Sequence, residues 1–254
     1  MNIAPLEGDI VYTDRDAMGN IFVLDTRKHR VLSFDSIFEQ SKMERSKPGL
    51  PVHEYNRAML LPLAFMEPLR QPRRALVLGL GGGVMTHALH RMVPECQIDV
   101  AELRRKVVMV AHEFFGLPQK PQINIQVTDG RAMLEASPEH STDLIFADLY
   151  NADRMSAIQS KRSFVRMSSR ALTDSGWLVA NYHRVPEPGG IVHRAIRNHF
   201  ATVLTYTSKS RNTVIFATRQ TLNWPVKPRW EISNLERRLP IGWKRLLNRL
   251  QPLD

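Results

Sequence analysis

Three carboxylates stand at the ends of three successive predicted strands, and they are the residues of this sequence best placed to do chemistry. They are Glu102, Asp129 and Asp148. Because ligands bind outside the carboxyl ends of the strands in an open parallel sheet, we expect these side chains to share one site. One acid after a strand is often only a helix cap, but three in series favour a ligand-binding edge.

A glycine-rich loop precedes the first of these acids and has the composition of a nucleotide-binding turn. An apolar run at 75–78 leads into four glycines: Gly79, Gly81, Gly82 and Gly83. Such a run is typical of a buried parallel strand, and the glycines let the backbone turn sharply and approach a ligand. Residues 84–92 then have helical spacing. This context favours nucleotide binding, and Glu102, 23 residues after Gly79, has the spacing of an acid that binds ribose hydroxyls.

The elements that must position these residues alternate between strand and helix over residues 53–219. Beyond the glycine-loop strand and its helix, the predicted elements are strands at 97–102, 123–127, 144–147 and 177–181, helices at 163–172 and 191–200, and a hairpin at 203–206 and 213–217. Alternation of this kind predicts an α/β fold in which a Rossmann-like, mostly parallel sheet forms a nucleoside-binding domain.

Residues 1–52 are predicted to form a small N-terminal β domain. Short apolar or alternating runs indicate three strands, at 9–12, 21–25 and 30–35. Such a meander cannot bury both of its faces alone, so it must pack on the main domain or on a partner chain. Residues 39–52 are predicted as a loop, and a helix at 53–66 carries Tyr55 and leads into the glycine-loop strand.

The bulk composition is that of a globular protein whose positive charge is concentrated near its C-terminal end. Of 254 residues, 43% are hydrophobic and 24% are charged, and the net charge is +10. From Lys209 onward there are ten Lys and Arg against three Asp and Glu. We treat 220–254 as a basic extension with a short helix at 243–250. A solvated surface is favoured over a nucleic-acid partner, because no recognised nucleic-acid module is present.

Several classes of site and location are disfavoured by what the sequence lacks. No apolar run has the length of a membrane span, and the N-terminal residues do not resemble a signal peptide. The lone Cys96 argues against a disulfide framework. His87 and His90 have a spacing that can chelate a metal, but no third ligand matches them, so no metal is predicted. We expect a cytoplasmic protein with no membrane partner.

The order of these signals resembles that of the spermidine synthases, or aminopropyltransferases, from about residue 8 to about residue 217. The resembling stretches are LSFD at 32–35, the helix with Tyr55, VLGLGGG at 77–83, VAELRRKVV at 100–108, VTDGRAML at 127–134 and LIFADLYN at 144–151. The resemblance implies a methyltransferase-type α/β domain behind a small N-terminal β domain. It also implies a homodimer that pairs through the N-terminal region.

The resemblance further implies a site for a sulfonium nucleoside and for an acceptor that the sequence does not identify. The donor would be S-adenosylmethionine or its decarboxylated form, with methylthioadenosine as a related ligand. Glu102 matches the acid that holds the ribose, with Leu103 beside it, and Asp129 and Gly130 match the pair at the adenine. Asp148 matches the residue that binds and deprotonates the attacking amine.

Three tyrosine and asparagine side chains complete the expected catalytic group. Tyr150 and Asn151 would orient the acceptor beside Asp148. Tyr55 would reach over from the N-terminal helix, although packing of that helix is an equally good explanation for an aromatic residue there.

Two positions depart from the family pattern, and both lie in the amine half of the site. The family's glycine loop carries an Asp as its fourth residue, where this chain has Gly82. The family has a second Asp three residues after the first, where this chain has Asn151. Both lost carboxylates serve cationic amines, so their absence removes much of the electrostatic reason to bind a polyamine.

Four functions therefore stay open. The first is alkyl transfer from a sulfonium, which needs in-line geometry and a base, for which Asp148 is the candidate. The second is an S-adenosylmethionine-dependent methyltransferase, which Gly82 favours because the methionine carboxylate of the donor would be repelled by an acid there. A non-catalytic nucleoside-binding protein is the third. A Rossmann-type dehydrogenase is the weakest, because it requires neither Asp129 nor Asp148.

Overall fold

The chain forms two β-sheets, described by a computed structural model over residues 6–35, 37–68, 70–149 and 157–253. The N-terminal sheet is antiparallel, with its four strands in chain order. Its strands are β1 (Asp9–Asp16), β2 (Gly19–Asp25), β3 (His29–Ser33) and β4 (Glu39–Glu44).

Strand β4 corrects the expectation of a loop over 39–52. Its sequence, EQSKME, contains a single apolar residue, Met43, so it lacks the alternating pattern that predicts a strand. Met43 is buried, and β4 is held by its ladder with β3. The next element is also shorter than predicted. Helix α1 (Glu54–Met59) ends before a short 3₁₀ turn at Leu61–Ala64, because Pro62 has no N–H to continue the helix.

The second sheet is mostly parallel, and its elements alternate as the α/β pattern predicts. They are β5 (Arg74–Leu78), α2 (Val84–Met92), β6 (Gln97–Glu102), α3 (Arg105–Glu113), β7 (Ile123–Val127), α4 (Gly130–Ala136), β8 (Thr142–Ala147), α5 (Arg162–Ala171), β9 (Leu172–Tyr182), α6 (Ile191–His199), β10 (Thr202–Thr207) and β11 (Thr213–Thr218). Strand β9 begins five residues earlier than the predicted 177–181, because Leu172 already pairs with β8 before an irregularity in the register. The α/β prediction is confirmed.

The strand order places a topological switch point beside β5. On one side of β5 lie β6 and then β7, and on its other side lie β8, β9, β11 and β10 in that order. The β5, β6, β7, β8 and β9 pairings are parallel, whereas β9 to β11 and β11 to β10 are antiparallel. The carboxyl ends of β5, β6 and β8 therefore meet at one edge, where a crevice opens in folds of this type.

The C-terminal residues pack into the hydrophobic core beside the second sheet. They form α7 (Ile232–Arg238), α8 (Trp243–Leu247) and β12 (Gln251–Pro252), which pairs with β10. Trp243, Leu246 and Leu235 are buried in the main hydrophobic cluster. The prediction of one short helix at 243–250 thus missed α7, whose single buried apolar position gives little periodic signal.

One face of the N-terminal sheet packs on α2 and α3. Ile21 and Leu32 share a buried cluster with Val84, Val107 and Phe115. Arg104 adds a paired hydrogen bond across the junction, with its Nε and Nη2 each 2.9 Å from an oxygen of Asp16. The sheet therefore finds its partner surface within the same chain.

Among the residues that the structure describes, no helix has the length and apolar composition of a membrane span.

Candidate active site

A cavity of about 860 Å³ opens at the carboxyl ends of β5, β6 and β8 and is lined also by β4 and α1. The three acids that the sequence singled out, Glu102, Asp129 and Asp148, all line it. Tyr55, Leu103 and Gly130 line it as well. Residues far apart in sequence thus meet around one space large enough for a nucleoside.

The glycine loop brings backbone close to the cavity at two of its four glycines. Gly79 has φ +91 and Gly81 has φ +53, a conformation that favours glycine. A Cβ on Gly79 would lie 2.6 Å from the carbonyl oxygen of Asp148, and one on Gly81 would lie 2.5 Å from Oγ of Ser41. Both positions therefore need glycine, and both line the cavity.

The other two glycines face neighbouring side chains. A Cβ on Gly82 would lie 2.8 Å from Cδ1 of Phe115, and one on Gly83 would lie 2.9 Å from Cδ1 of Leu117. The N–H of Gly82 donates to Oγ of Ser41 at 2.8 Å. The space into which a side chain at residue 82 would extend is therefore already filled by Phe115 and Ser41.

Glu102 ties the glycine loop to the end of β6. Its carboxylate accepts the N–H of Leu80 at 3.1 Å and the N–H of Arg104 at 2.9 Å. Burial raises the pKa of Glu102, and these backbone hydrogen bonds oppose that rise. The N–H of Gly81 is a third backbone donor to this carboxylate. A carboxylate has about four acceptor positions, so Glu102 keeps capacity for a hydroxyl group of a ligand in the cavity.

Asp129 caps α4 while it lines the cavity. Its Oδ1 accepts the N–H of Arg131 at 2.6 Å. Capping and ligand binding are compatible here, because the second carboxylate oxygen is not needed for the cap. A Cβ on Gly130 would meet Leu78 at 3.4 Å, an ordinary contact, so the space around Gly130 does not by itself require glycine.

Asp148 is held by side chains from two different elements. Its Oδ1 accepts the Nδ2 amide of Asn181 at 2.8 Å, and it also accepts side-chain hydrogen bonds from Tyr55 and Asn56. Burial raises the pKa of Asp148, while these hydrogen bonds and the nearby His53 act to lower it. The structure thus brings Tyr55 and Asp148 together. Tyr150 and Asn151 lie outside the described residues.

Three cavity residues were not singled out in the sequence, because two of them lie in the predicted loop and the third directly follows it. Glu39 pairs through Oε1 with Nζ of Lys42 at 2.8 Å and through Oε2 with Nε2 of His53 at 3.3 Å. The neighbouring His53 ring and the Lys42 ammonium lower the pKa of Glu39 to about 2. The i,i+3 spacing of Glu39 and Lys42 is the one signal that could have marked the pair.

Asn181 and Asn212 are two further polar residues of the cavity that the sequence did not indicate. Asn181 is buried at the end of β9, and its Oδ1 accepts a hydrogen bond from Nδ2 of Asn212 at 3.3 Å.

The two histidines of α2 lie outside this group of residues, and burial lowers the pKa of both His87 and His90. In the described part of the chain, no group of three or more His, Cys, Asp or Glu side chains is placed to hold a metal ion.

Comparison with curated proteins shows similarity to polyamine aminopropyltransferases. The chain is 25% identical over 207 residues to a probable polyamine aminopropyl transferase of Bifidobacterium longum, covering 79% of this chain and 45% of that protein. It is 25% identical over 244 residues to the polyamine aminopropyltransferase of Chromobacterium violaceum, covering 93% and 91%. No family model matches the chain. It spans 45% to 60% of the length of several curated relatives.

Comparison with solved structures shows the same fold in two groups of proteins. A probable spermidine synthase from Corynebacterium glutamicum matches with a TM-score of 0.74 and 18% identity, covering 90% of this chain and 86% of that one. Human methyltransferase-like protein 13 in complex with SAH matches with a TM-score of 0.57 and 23% identity, covering 79% and 95%. The chain is therefore similar in sequence to the polyamine aminopropyltransferases, and it shares its fold with spermidine synthases and with a methyltransferase.

Proposed function

We propose that this chain is a transferase that binds a sulfonium nucleoside in the cavity and passes an alkyl group from it to an amine or another nucleophile. One observation carries the proposal. Glu102, Asp129 and Asp148, from three strand ends, line the same cavity, and Tyr55 from α1 hydrogen-bonds to Asp148. The similarity to aminopropyltransferases supports aminopropyl as the group transferred.

In this proposal the nucleoside lies along the edge of the second sheet. Gly79 and Gly81 bring backbone against it, and Glu102 accepts hydrogen bonds from the ribose hydroxyls, with Leu103 beside the ring. Asp129 and Gly130 lie at the adenine. The donor is S-adenosylmethionine or its decarboxylated form, and it serves as co-substrate without a metal.

The proposed chemistry is a direct displacement. A lone pair of the acceptor forms a bond to the carbon attached to sulfur, and the carbon–sulfur bond breaks with its electron pair going to sulfur. Because the sulfur carries a positive charge beforehand, the leaving group needs no acid. Asp148 takes the acceptor's proton, and Tyr55 and Asn181 hold its carboxylate in place. Tyr150 and Asn151 are proposed to orient the acceptor.

Calorimetric titration with S-adenosylmethionine, its decarboxylated form and methylthioadenosine tests the proposal. We expect at least one sulfonium donor and methylthioadenosine to bind. Mass spectrometry of the products then separates the two transfers, because aminopropyl transfer releases methylthioadenosine and methyl transfer releases S-adenosylhomocysteine. The Asp148→Asn variant should keep nucleoside binding and lose transfer. Absence of binding by all three compounds would overturn the proposal.

A further inference from the structure

A line of side-chain hydrogen bonds runs from the turn between β10 and β11 to Asp148. Oγ of Ser210 lies 3.0 Å from Oδ1 of Asn212, and Nδ2 of Asn212 lies 3.3 Å from Oδ1 of Asn181. Nδ2 of Asn181 lies 2.8 Å from Oδ1 of Asp148. We call these three hydrogen bonds the amide relay, because they connect the turn to the Asp148 carboxylate. The last of them joins residues that are 33 positions apart in sequence.

Every link of the amide relay donates toward Asp148. The Ser210 hydroxyl donates to the carbonyl oxygen of Asn212, which leaves the NH₂ group of Asn212 to donate to Asn181. The carbonyl oxygen of Asn181 is thereby occupied, so its NH₂ group points at the carboxylate. An amide has one acceptor end and one donor end, so fixing one end fixes the other.

The backbone on both sides of the last link is fixed as well. Gln159 is fully buried, and its Oε1 accepts the N–H of Leu149 at 2.9 Å. Its Nε2 donates to the backbone carbonyl of Asn181 at 3.1 Å. One side chain therefore joins the ends of β8 and β9. Because Asn181 is only 1% exposed, the main freedom left to its amide is a flip that exchanges the positions of its oxygen and its nitrogen.

We propose that Asn212, acting through Asn181, is a positioning residue that holds Asp148 in its ionised, proton-accepting form. The inference rests on the proposed role of Asp148 as the base. A donor aimed at a carboxylate stabilises the charged state, and a carbonyl oxygen aimed at it would do the reverse. Tyr55 and His53 also face Asp148 from α1 and the segment before it, and His183 lines the same cavity.

The Asn212→Asp variant inverts the amide relay. A carboxylate at residue 212 can only accept, so the Asn181 amide should turn its NH₂ group toward residue 212 and its carbonyl oxygen toward Asp148. Carbon-13 NMR of aspartate-labelled full-length protein follows the Asp148 carboxyl, assigned with Asp148→Asn. We expect Asp148 to titrate at higher pH in Asn212→Asp than in the wild type, and Asn212→Ala to give a smaller shift in the same direction.

Lys209→Gln is the matched control. It changes the net charge by the same −1 within the same turn, and the Lys209 backbone N–H that binds Glu54 is retained. Its Asp148 titration should stay close to that of the wild type. An unchanged titration in Asn212→Asp, or an equal shift in Lys209→Gln, would overturn the relay.

Kinetics give a second readout that a purely structural role would not move. In Asn212→Asp, kcat/KM should fall by up to about tenfold at acid pH and recover at higher pH, with methylthioadenosine affinity unchanged. If the wild type transfers nothing, the proposed function fails, but the NMR titration still decides whether the relay controls Asp148.

Discussion

The ring of Phe115, in the segment that follows α3, occupies the space beside Gly82 in the glycine loop. A Cβ on Gly82 would lie 2.8 Å from Cδ1 of Phe115 and 3.0 Å from Cβ of Ser41. In the family that this chain resembles, an Asp at this place contacts the aminopropyl end of the donor. In this chain the acid is absent and Phe115 occupies the adjacent space, so restoring the acid alone would create a clash.

Gly82→Ala should therefore destabilise the protein by about 1–3 kcal/mol, the usual cost of overpacking. Gly82→Asp should cost at least as much and should not improve putrescine turnover. Gly130→Ala is the control, because its Cβ would meet no atom closer than 3.4 Å. Urea unfolding measures all three variants. Equal stability of Gly82→Ala and Gly130→Ala would contradict the packing argument.

Removal of the Glu102 carboxylate should weaken nucleoside binding by roughly tenfold or more. A hydrogen-bonded carboxylate is worth about 1.5–3 kcal/mol, and Glu102 also holds the N–H of Leu80 in the glycine loop. Calorimetry with methylthioadenosine compares Glu102→Ala with Glu102→Gln, which keeps one acceptor oxygen and should lose less. Unchanged affinity in Glu102→Ala would show that the nucleoside binds elsewhere.

Glu39 should make stability depend on pH in the acid range. Its pKa is lowered from 4.5 to about 2 in the folded chain, so its stabilising effect is complete above pH 4.5 and is lost as pH falls toward 2. The wild type should be more stable than Glu39→Gln by about 1–2 kcal/mol at pH 7. The difference is no larger because the ion pairs of Glu39 with Lys42 and His53 are partly exposed to solvent. Urea unfolding at pH 7 and pH 3 should show that difference shrinking. A constant difference would refute the role of the ion pairs.

Putrescine should be a poor acceptor even if the nucleoside binds well. Each lost charge-assisted contact costs about 1.5–3 kcal/mol, so the two departures at Gly82 and Asn151 should lower turnover by roughly a hundredfold or more. Glu39 does not compensate freely, because Lys42 and His53 already pair with it. A transfer assay with putrescine and decarboxylated S-adenosylmethionine measures the turnover. Efficient putrescine turnover by the wild type would contradict this prediction. Turnover that Asp148→Asn leaves unchanged would contradict the proposed role of Asp148.

Two copies of the chain should associate through the N-terminal sheet. Ile10 and Val11 on β1 are 58% and 43% exposed, although the opposite face of the sheet packs on α2 and α3. Light scattering at micromolar concentration should give a homodimer, and Ile10→Lys should give a monomer. Val185→Lys, at a position 41% exposed in the loop between β9 and α6, should leave the dimer intact. A monomeric wild type with a folded N-terminal sheet would disprove the association.

The sequence alone determined the α/β fold and the convergence of Glu102, Asp129 and Asp148. Apolar runs followed by turn residues are local signals, and parallel strands bring their carboxyl ends to one edge whatever the details of packing. Tyr55 could be proposed as a neighbour of Asp148 only through the family resemblance, since the two residues belong to different elements.

Only the tertiary structure decided the identity of the remaining groups around the cavity. Strand β4 has a polar sequence that no periodicity marks, and Ser41 meets the glycine loop across 41 positions of sequence. Phe115 beside Gly82 and Asn212 beside Asn181 are likewise long-range contacts. Such contacts depend on how whole elements pack, which is a property of the assembled core and not of any local run of residues.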